Sequence, residues 1–355
     1  MKLEDIGFYT LSDARAREAS ATSPFWRCEL IVTDRCNLKC PYCRGVRREI
    51  RGDMPLAVAR RVLELWIADG LRNVRFSGGE PTLYTLAPLI DQCREGGVKR
   101  IAISTNGTAS LDVYYDLMRR GVNDFSISLD GGCCAVSERM NGGTDCWSGV
   151  VANIRALSCL TYVTVGMVFT DDNIADCIEA VRFASSLGPA DIRVIPAAQY
   201  ATALGKLAEL PDDLLAKHPI LRYRVENARE QRPVRGIKVA DCHKCWLALD
   251  DMAVAGKWHF PCIIHLREGG APVGEIGPGM REERAAWVQE HDSYADPICR
   301  RNCLDVCVDY NNKCDRRRLR ASAGVRGKVL PRPRGGRLAA AVGSERQAGR
   351  TTICG

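Results

Sequence analysis

Apolar residues along the first two hundred positions form short runs that alternate with segments of helical periodicity. The runs predict buried strands, at Cys28–Thr33, Val74–Phe76, Ile101–Ser104, Phe125–Leu129, Tyr162–Phe169 and Ile192–Ile195. The periodic segments predict helices, at Pro55–Ala68, Leu83–Arg94, Leu111–Arg120, Trp147–Leu157 and Ile174–Leu187. Strands that alternate with helices indicate a parallel sheet with right-handed crossovers. Six such units, rather than eight, predict an α/β fold in the form of a partial (β/α)6 TIM-like barrel, open on one side.

Polar residues follow four of the predicted strands. Ligands in such folds bind at the carboxyl ends of the strands, so these residues are expected to share one surface. They are Cys36, Cys40 and Cys43 after the first strand, Gly78, Gly79 and Glu80 after the second, Ser104 and Asn106 at the third, and Ser128 and Asp130 at the fourth. Small hydroxyls, an amide and a carboxylate in these positions suit a ribose diol and an amino-acid carboxylate.

The first cysteines have the spacing C-x3-C-x2-C on one short loop. Three thiolates can bind three irons of a [4Fe–4S] cluster and leave the fourth iron open to a substrate or cosubstrate. Arg35 and Lys39 beside them should favour thiolates, and bound iron should favour them much more. The alternative is a zinc knuckle, or a chance cluster in a chain with 18 cysteines. A closed zinc site, however, needs a fourth ligand nearby.

The C-x3-C-x2-C spacing, with Tyr42 before its last cysteine, resembles the signature of the radical S-adenosylmethionine (SAM) superfamily. The Gly-Gly-Glu-Pro stretch resembles the segment with which that family holds the amino group of SAM. The resemblance implies that Gly78, Gly79 and Glu80 bind SAM, with Ser104 and Asn106 nearby. It also implies that Ser128 and Asp130 contact the ribose and that Arg139 contacts the SAM carboxylate. The alternative for Asp130-Gly131 is a simple turn.

The family's chemistry defines what the resemblance implies for activity. The cluster would pass an electron to SAM, and the resulting 5′-deoxyadenosyl radical would abstract a hydrogen from a substrate. An electron donor such as flavodoxin or ferredoxin is implied as a partner. A peptide, protein or small metabolite is the expected substrate, although 27 N-terminal residues are too few for a leader-binding domain. The alternatives are a nucleotide or nucleic-acid base, or a non-catalytic iron–sulfur or zinc protein that acts as a sensor or scaffold.

A second cysteine field lies toward the C-terminus and contains Cys242, Cys245, Cys262, Cys299, Cys303, Cys307 and Cys314. A zinc ribbon is one reading, with His243, His259 and His265 as further possible ligands. Cys245, Gly256 and Cys262 resemble the start of the SPASM or twitch extension of many radical SAM enzymes. The later gaps of x3, x3 and x6 depart from that family's x2, x5 and x3. The resemblance implies one or two auxiliary [4Fe–4S] clusters, with all seven cysteines as candidate ligands.

Composition divides the chain into an N-terminal arm (1–27), a core (28–198), a connector (199–240), the cysteine-rich region (241–315) and a basic tail (316–355). The tail carries ten Arg and one Lys against one Glu, a net of +10, so the net charge of +7 leaves −3 for residues 1–315. The tail is therefore expected to be disordered, and it is the one place for a nucleic-acid partner.

Three further features of the sequence indicate where in the cell the protein is expected. No apolar run of eighteen residues exists, so no membrane partner is expected. The first twenty residues mix both charges and do not form a signal peptide. Cysteines at metal-like spacings in a chain of this size favour a reducing, cytoplasmic location.

Overall fold

A computed structural model describes residue 10 and residues 12–45, 51–200 and 204–326. One nine-stranded sheet runs through these residues, in the order β6-β5-β4-β3-β2-β1-β7-β8-β9. The strands are β1 (Arg27–Thr33), β2 (Asn73–Gly78), β3 (Arg100–Thr105), β4 (Asp124–Ser128), β5 (Tyr162–Phe169), β6 (Asp191–Pro196), β7 (Asp251–Ala255), β8 (Trp258–Phe260) and β9 (Gly274–Glu275).

The first six strands are parallel and lie side by side in chain order. This confirms the predicted partial barrel, because the sheet ends at β6 on one side and at β9 on the other. Strand β5 has the predicted bounds, and β4 is shifted by one residue toward the N-terminus. Strands β1, β2, β3 and β6 are longer than predicted, by one to three residues.

The helices of the described residues are α1 (Asp13–Glu18), α2 (Leu56–Ala68), α3 (Ala87–Glu95), α4 (Leu111–Arg120), α5 (Cys134–Asn141), α6 (Trp147–Ser158), α7 (Cys177–Ser186), α8 (Asp212–Leu215), α9 (Pro219–Arg229), α10 (Ile263–Arg267), α11 (Met280–Glu290), α12 (Pro297–Asn302) and α13 (Asp305–Arg326). Two predicted helices begin later than expected. A separate 3-10 turn at Pro81–Leu83 precedes α3, and another at Ile174–Asp176 precedes α7. Helix α5 was not predicted.

The apolar core lies between the sheet and helices α2 to α7. Trp66 of α2 and Phe76 of β2 are fully buried in it. The ring of Tyr114 packs edge-on against Phe125, with 5.6 Å between ring centroids. Strands buried on both faces explain why the sequence showed continuous apolar runs rather than alternation.

The cysteine-rich region does not form a separate sheet. Strand β7 pairs in parallel with β1, so that Cys28 faces Met252 and Leu30 faces Val254. Strands β8 and β9 then continue the same sheet in antiparallel order. Gly256 lies in the turn between β7 and β8 with φ +58°, a conformation that favours glycine.

The segments on either side of the core also differ from the predicted arm and connector. In the arm, Arg15 of α1 forms a buried ion pair with Asp250, just before β7. In the connector, the backbone N–H groups of Ile220 and Leu221 at the start of α9 donate to the Asp191 carboxylate of β6. Arg232, also in the connector, pairs with Asp309 of α13 at 2.5 Å. The described residues of both segments therefore pack against the rest of the body.

Helix α13 continues past the predicted boundary at residue 315 and ends at Arg326. The rest of the predicted tail lies outside the described residues. Within the part of the chain that is described, none of the helices combines the length and apolar character that a membrane crossing requires.

Candidate metal centres

The first cysteine loop, residues 34–45, follows the carboxyl end of β1. Cys36 and Cys43 are exposed, Cys40 is half-buried, and all three are free thiols. The Leu38 N–H donates to Cys36 Sγ at 3.4 Å and the Gly45 N–H donates to Cys43 Sγ at 3.3 Å. Backbone donors of this kind stabilise cysteine sulfurs that bind iron. The loop therefore presents three accessible sulfurs, two of them already supplied with donors.

Arg35 was expected to favour the thiolate forms of the three cysteines, but its contacts do not support this role. Its guanidinium instead pairs with the Asp53 carboxylate at 2.8 Å and donates to Leu83 O. Burial, followed by the Asp130 carboxylate, raises the pKa of Cys40 to about 12. Burial also raises the pKa of Cys36. Deprotonation at this loop must therefore come from metal binding itself.

Gly78 and Gly79 let the loop after β2 lie directly against the first cysteine loop. The Gly79 N–H donates to Thr33 O at 2.8 Å, and the Glu80 N–H donates to Arg35 O at 2.7 Å. A Cβ on Gly79 would lie 2.2 Å from Arg35 O, and one on Gly78, at φ +149°, would lie 2.2 Å from Thr33 O. The sequence predicted close approach of a ligand here; the structure shows close approach of the cysteine loop.

Glu80 is fully buried, and its carboxylate joins two loops. One oxygen accepts from the backbone and hydroxyl of Thr82 and from Thr105 Oγ1, and the other accepts from the Asn106 N–H at 2.7 Å. This bonding fixes the loops after β2 and β3 relative to each other. Direct contact between Glu80 and the SAM amino group stays a prediction.

Asn106 and Asp130 also meet the first cysteine loop. Asn106 Nδ2 donates to Asn37 Oδ1 at 2.8 Å and lies 3.9 Å from Cys36 Sγ. The buried Asp130 carboxylate accepts from the Tyr42 hydroxyl and, at 2.6 Å, from the Val168 N–H. Burial raises the pKa of Asp130 to about 6. The contact between Tyr42 and Asp130 was not predicted, although both lie in the motifs that were singled out.

The other predicted SAM ligands occupy three different settings. Ser128 is exposed at the end of β4. Arg139 is exposed on α5, where it contacts Ala135 O one turn back. Ser104 instead lines a cavity on the inner side of the sheet. Their roles toward SAM stay predictions.

Five cysteines of the second field converge on that cavity, which has a volume of about 290 Å³. These cavity cysteines are Cys245, Cys262, Cys299, Cys303 and Cys307. Burial raises the pKa of Cys262 to about 12. Four separate segments therefore bring five sulfurs to one place.

Cys242 and Cys314 do not line the cavity. Cys314 is buried against Tyr310 and Leu247 in a small apolar cluster. Cys242 Sγ instead accepts from the Lys244 N–H at 3.4 Å. The predicted set of seven ligands is thus divided by the structure into five and two.

The three histidines that supported a zinc ribbon lie in different places. His243 stacks on Tyr294. His259 is buried and hydrogen-bonds Glu283 at 2.9 Å, and burial lowers its pKa to about 4. Of the three, His265 lines the cavity, and its ligand atoms lie close to those of Cys299. Among the described residues, these three histidines therefore do not come together at one zinc-ribbon site with the C-x2-C cysteines.

Arginines form much of the remaining cavity wall, and the sequence reading missed them. Arg27, Arg75 and Arg193 lie on the inner face of the sheet, while Arg44, Arg224, Arg235 and Arg267 come from loops and helices. Arg27 pairs with Asp251 at 2.6 Å and Arg224 with Asp305 at 2.5 Å. In the described part of the chain, Arg75, Arg193, Arg235 and Arg267 have no carboxylate within 4.0 Å. The sequence did offer one indication of these arginines: Arg75 and Arg193 are charged residues inside otherwise apolar predicted strands.

Arg267 connects the two cysteine regions. Its guanidinium donates to Gly45 O at 3.0 Å, beside Cys43, and to Gly78 O at 3.2 Å. Arg267 belongs to α10, which begins directly after the cavity cysteine Cys262. The cavity therefore lies between the first cysteine loop and the cavity cysteines.

Comparison with known proteins agrees with this arrangement. Residues 30–184 match the family model of the radical SAM superfamily. Residues 30–184 therefore form a segment similar to radical SAM domains, which agrees with the class of protein that the first cysteine loop predicts. The match spans β1 to α7, the segment that carries the first cysteine loop and the Gly-Gly-Glu stretch.

Two curated relatives share part of this region. A GTP 3′,8-cyclase of Synechococcus sp. (strain CC9902) is 35% identical over 137 residues, which cover 37% of this chain and 40% of that protein. The molybdenum cofactor biosynthesis protein 1 of Drosophila melanogaster is 29% identical over 175 residues, or 46% of this chain and 30% of that protein. The chain thus spans less than half the length of either relative.

Two solved structures share the fold. SuiB of Streptococcus suis bound to S-adenosylmethionine superposes with a TM-score of 0.54 at 16% identity, over 78% of this chain and 65% of that one. Native anSMEcpe with bound AdoMet and Cp18Cys peptide gives 0.57 at 14% identity, over 86% and 99%. The fold likeness thus extends well beyond the segment that the family model matches.

Proposed function

We propose that this chain is a radical SAM enzyme whose substrate binds in the cavity between the first cysteine loop and the cavity cysteines. The observation that carries the proposal is the position of this cavity. Its wall includes Arg44 of the first cysteine loop, Arg267, which donates to Gly45 O of that loop, and the five cavity cysteines. A substrate there would lie next to SAM and next to a second metal centre at once.

Cys36, Cys40 and Cys43 fit a cluster with one iron left open. The three sulfurs are free, two receive backbone hydrogen bonds, and the loop is anchored by the Lys39 N–H to Asn141 O at 3.1 Å. When bound, such a cluster supplies the electron for reductive cleavage of SAM to methionine and a 5′-deoxyadenosyl radical. A small reducing protein such as flavodoxin or ferredoxin is the proposed electron donor.

The chain's own residues hold the loop and SAM. Glu80 and Asn106 fix the loops on one side of the cysteines, and Tyr42 and Asp130 fix the other. We assign SAM to this surface, with Gly78, Gly79, Glu80, Ser104, Asn106, Ser128, Asp130 and Arg139 as candidate contacts. The structure favours positioning roles for Glu80 and Asp130, because their carboxylates already accept several hydrogen bonds.

The cavity cysteines fit one auxiliary [4Fe–4S] cluster, since such a cluster takes four thiolates and five are present. Cys242 and Cys314 do not line the cavity. Cys314 is buried in a small cluster with Tyr310 and Leu247, against which Cys245 and Cys307 also pack. One auxiliary cluster is therefore the proposal.

The arginines favour a substrate that carries a phosphate or carboxylate group. The Nε–H groups of Arg75, Arg193 and Arg235 are buried without a hydrogen-bond partner. Burial, with Arg75 beside it, lowers the pKa of Arg193 to about 10, so the guanidinium stays charged at neutral pH. Buried cations without a carboxylate partner are costly, and a bound anion would offset that cost.

Two sources of such an anion are consistent with the relatives. The curated relative is named for GTP, a nucleotide, whereas the anSMEcpe structure contains a peptide. The arginine lining favours a small acidic molecule over an uncharged peptide segment. A nucleic-acid contact through the basic tail stays a prediction.

The test is the release of 5′-deoxyadenosine from anaerobically reconstituted protein given SAM and dithionite. The wild type should release it even without substrate, and Cys36→Ala should release none. Cys159→Ala is the matched control, because Cys159 is exposed at the end of α6 and lies outside both cysteine groups. Absence of release from wild-type protein with full iron content would contradict the proposal and favour a non-catalytic iron–sulfur protein.

A further inference from the structure

A compact group of metal-ligating side chains lies beside the cavity cysteines. It consists of His265 on α10, His291 just after α11, Asp296 just before α12, and Cys299 within α12. We call these four residues the His–Asp–Cys group. His265 is only 5% exposed, and the other three are half-buried.

The distances within the group match a shared metal ion better than hydrogen bonds. His265 Nε2 lies 3.3 Å and His291 Nε2 lies 3.5 Å from the same oxygen, Asp296 Oδ2. Cys299 Sγ lies 3.9 Å from His291 Nε2. Bonds of about 2.0–2.3 Å to a tetrahedral zinc ion place ligand atoms roughly 3.3–3.8 Å apart. Charge-assisted N–H···O hydrogen bonds are shorter, at about 2.7–2.9 Å.

Three of the ligand atoms already lie close together. Those of His265, Asp296 and Cys299 are all within 4.8 Å of one another. His291 reaches the group through the same carboxylate oxygen, as a fourth ligand.

The surrounding structure orients each ligand. Asp296 Oδ1 caps α12 by accepting from the N–H groups of Ile298 and Cys299 at 2.7 and 2.9 Å, which leaves Oδ2 to face the histidines. Trp287 stacks on His291 with 4.0 Å between ring centroids. A Cβ on Gly270 would lie 2.2 Å from the His265 ring, so the backbone there packs flat against the imidazole.

The number of cavity cysteines supports the same assignment. A [4Fe–4S] cluster needs four thiolates, and five are present. Cys299 is the one with a carboxylate and two imidazoles beside it, which leaves Cys245, Cys262, Cys303 and Cys307 for the cluster. Two histidines, a carboxylate and a thiolate are a donor set typical of zinc.

We propose that His265, His291, Asp296 and Cys299 bind a single zinc ion, separate from both iron–sulfur clusters. The ion is structural. It ties α10, which starts directly after Cys262, to α12, which ends directly before Cys303. It thereby holds Cys262 and Cys303, two ligands of the proposed auxiliary cluster, at a fixed separation. This structural role does not depend on which reaction the enzyme catalyses.

Metal analysis of the reconstituted full-length protein tests the proposal. After passage over a chelating resin, the wild type should contain about one zinc per chain in addition to about eight iron atoms. His265→Ala should lose the zinc and keep the iron. His243→Ala is the control, because His243 stacks on Tyr294 away from the group, and it should keep both metals.

Further variants separate this site from the cluster. Asp296→Asn retains an oxygen to cap α12 and should lose most of the zinc while the protein stays folded. Cys299→Ser should lose zinc, with iron still near eight. Zinc X-ray absorption of the wild type should show one sulfur among nitrogen and oxygen ligands.

Three results would overturn the assignment. The first is a wild type without zinc, or a His265→Ala variant that keeps it. The second is loss of about four irons in His265→Ala or in Cys299→Ser, which would make the residue a cluster ligand. The third is an absorption spectrum with four sulfur ligands, which would place zinc among the cavity cysteines instead.

Discussion

The two cysteine regions of this chain are assembled in opposite ways. The first places three cysteines within eight consecutive residues, on one loop that follows one strand. The second collects five sulfurs from segments between residues 245 and 307. A local loop can be recognised from spacing alone, whereas the second group exists only because β7 joins the central sheet and α10 and α12 pack together. The chain thus contains one site defined by sequence and one defined by packing.

The largest expected effect separates the cavity cysteines from the rest of the second field. Cys245→Ala should lower iron content by about four atoms per chain, because it removes a ligand of the auxiliary cluster. Cys242→Ala should leave the iron content unchanged, since Cys242 does not line the cavity. Iron and acid-labile sulfide analysis measures both. Equal losses in the two variants would contradict the division into five and two.

The next effect concerns the arm that holds the second region in place. Arg15→Met leaves the Asp250 carboxylate buried without its cation and should destabilise the protein by about 3–5 kcal/mol. Thermal and denaturant unfolding measure the change. Arg17→Met is the control, because Arg17 is exposed on the same helix. Similar losses in both variants would mean that helix α1, rather than this ion pair, carries the stability.

A smaller effect is expected for a substitution that disturbs only the first cysteine loop. Gly79→Ala forces a Cβ to within 2.2 Å of Arg35 O and should cost up to about 3 kcal/mol, with displacement of the first cysteine loop. Release of 5′-deoxyadenosine should fall while the auxiliary cluster's iron remains. Gly149→Ala is matched to it, because a Cβ there meets nothing within 4 Å. Loss of auxiliary iron in Gly79→Ala would show that the two regions fold as one unit.

An effect of similar size depends on pH. Burial raises the pKa of Asp191 to about 6 in the folded state, above about 3.9 for an unfolded chain. The folded protein therefore binds the proton more tightly, and this contribution to stability is present below pH 4 and is lost as pH rises to 6. Asp191→Asn should remove the dependence, so its stability relative to the wild type should rise by up to about 3 kcal/mol between pH 4 and 6.

Denaturant unfolding at several pH values measures this change. Asp171→Asn is the comparison, because Asp171 is exposed in the turn after β5. A stability difference between Asp191→Asn and the wild type that stays constant with pH would contradict the assigned pKa shift.

Much of the core was predictable because its determinants are local. Six of the nine strands and most of the helices between them follow from apolar runs and helical periodicity. Where a helix begins later than predicted, the cause is also local, but it is hydrogen bonding rather than the apolar pattern. Glu80 caps a 3-10 turn at Pro81–Leu83, which delays the start of α3, and hydrogen bonding of this type does not alter the apolar pattern.

The sequence by itself was enough to predict the first site, since Cys36, Cys40 and Cys43 need only one loop to share a metal group. It also placed Glu80, Asn106 and Asp130 correctly at one edge of the sheet, because parallel strands put their carboxyl ends together. Tertiary structure decided which partners these side chains bind. Arg35 pairs with Asp53 rather than acting on the thiols, and the buried Glu80 and Asp130 bind protein donors.

Tertiary structure alone decided the second site. Spacing could count seven cysteines, but it could not separate Cys242 and Cys314 from the other five, nor place His265 and Asp296 beside Cys299. It also could not show that arginines from β1, β2 and β6 share one cavity with them. The physical reason is that contacts between distant segments depend on how elements pack, and no spacing within a single segment encodes that packing.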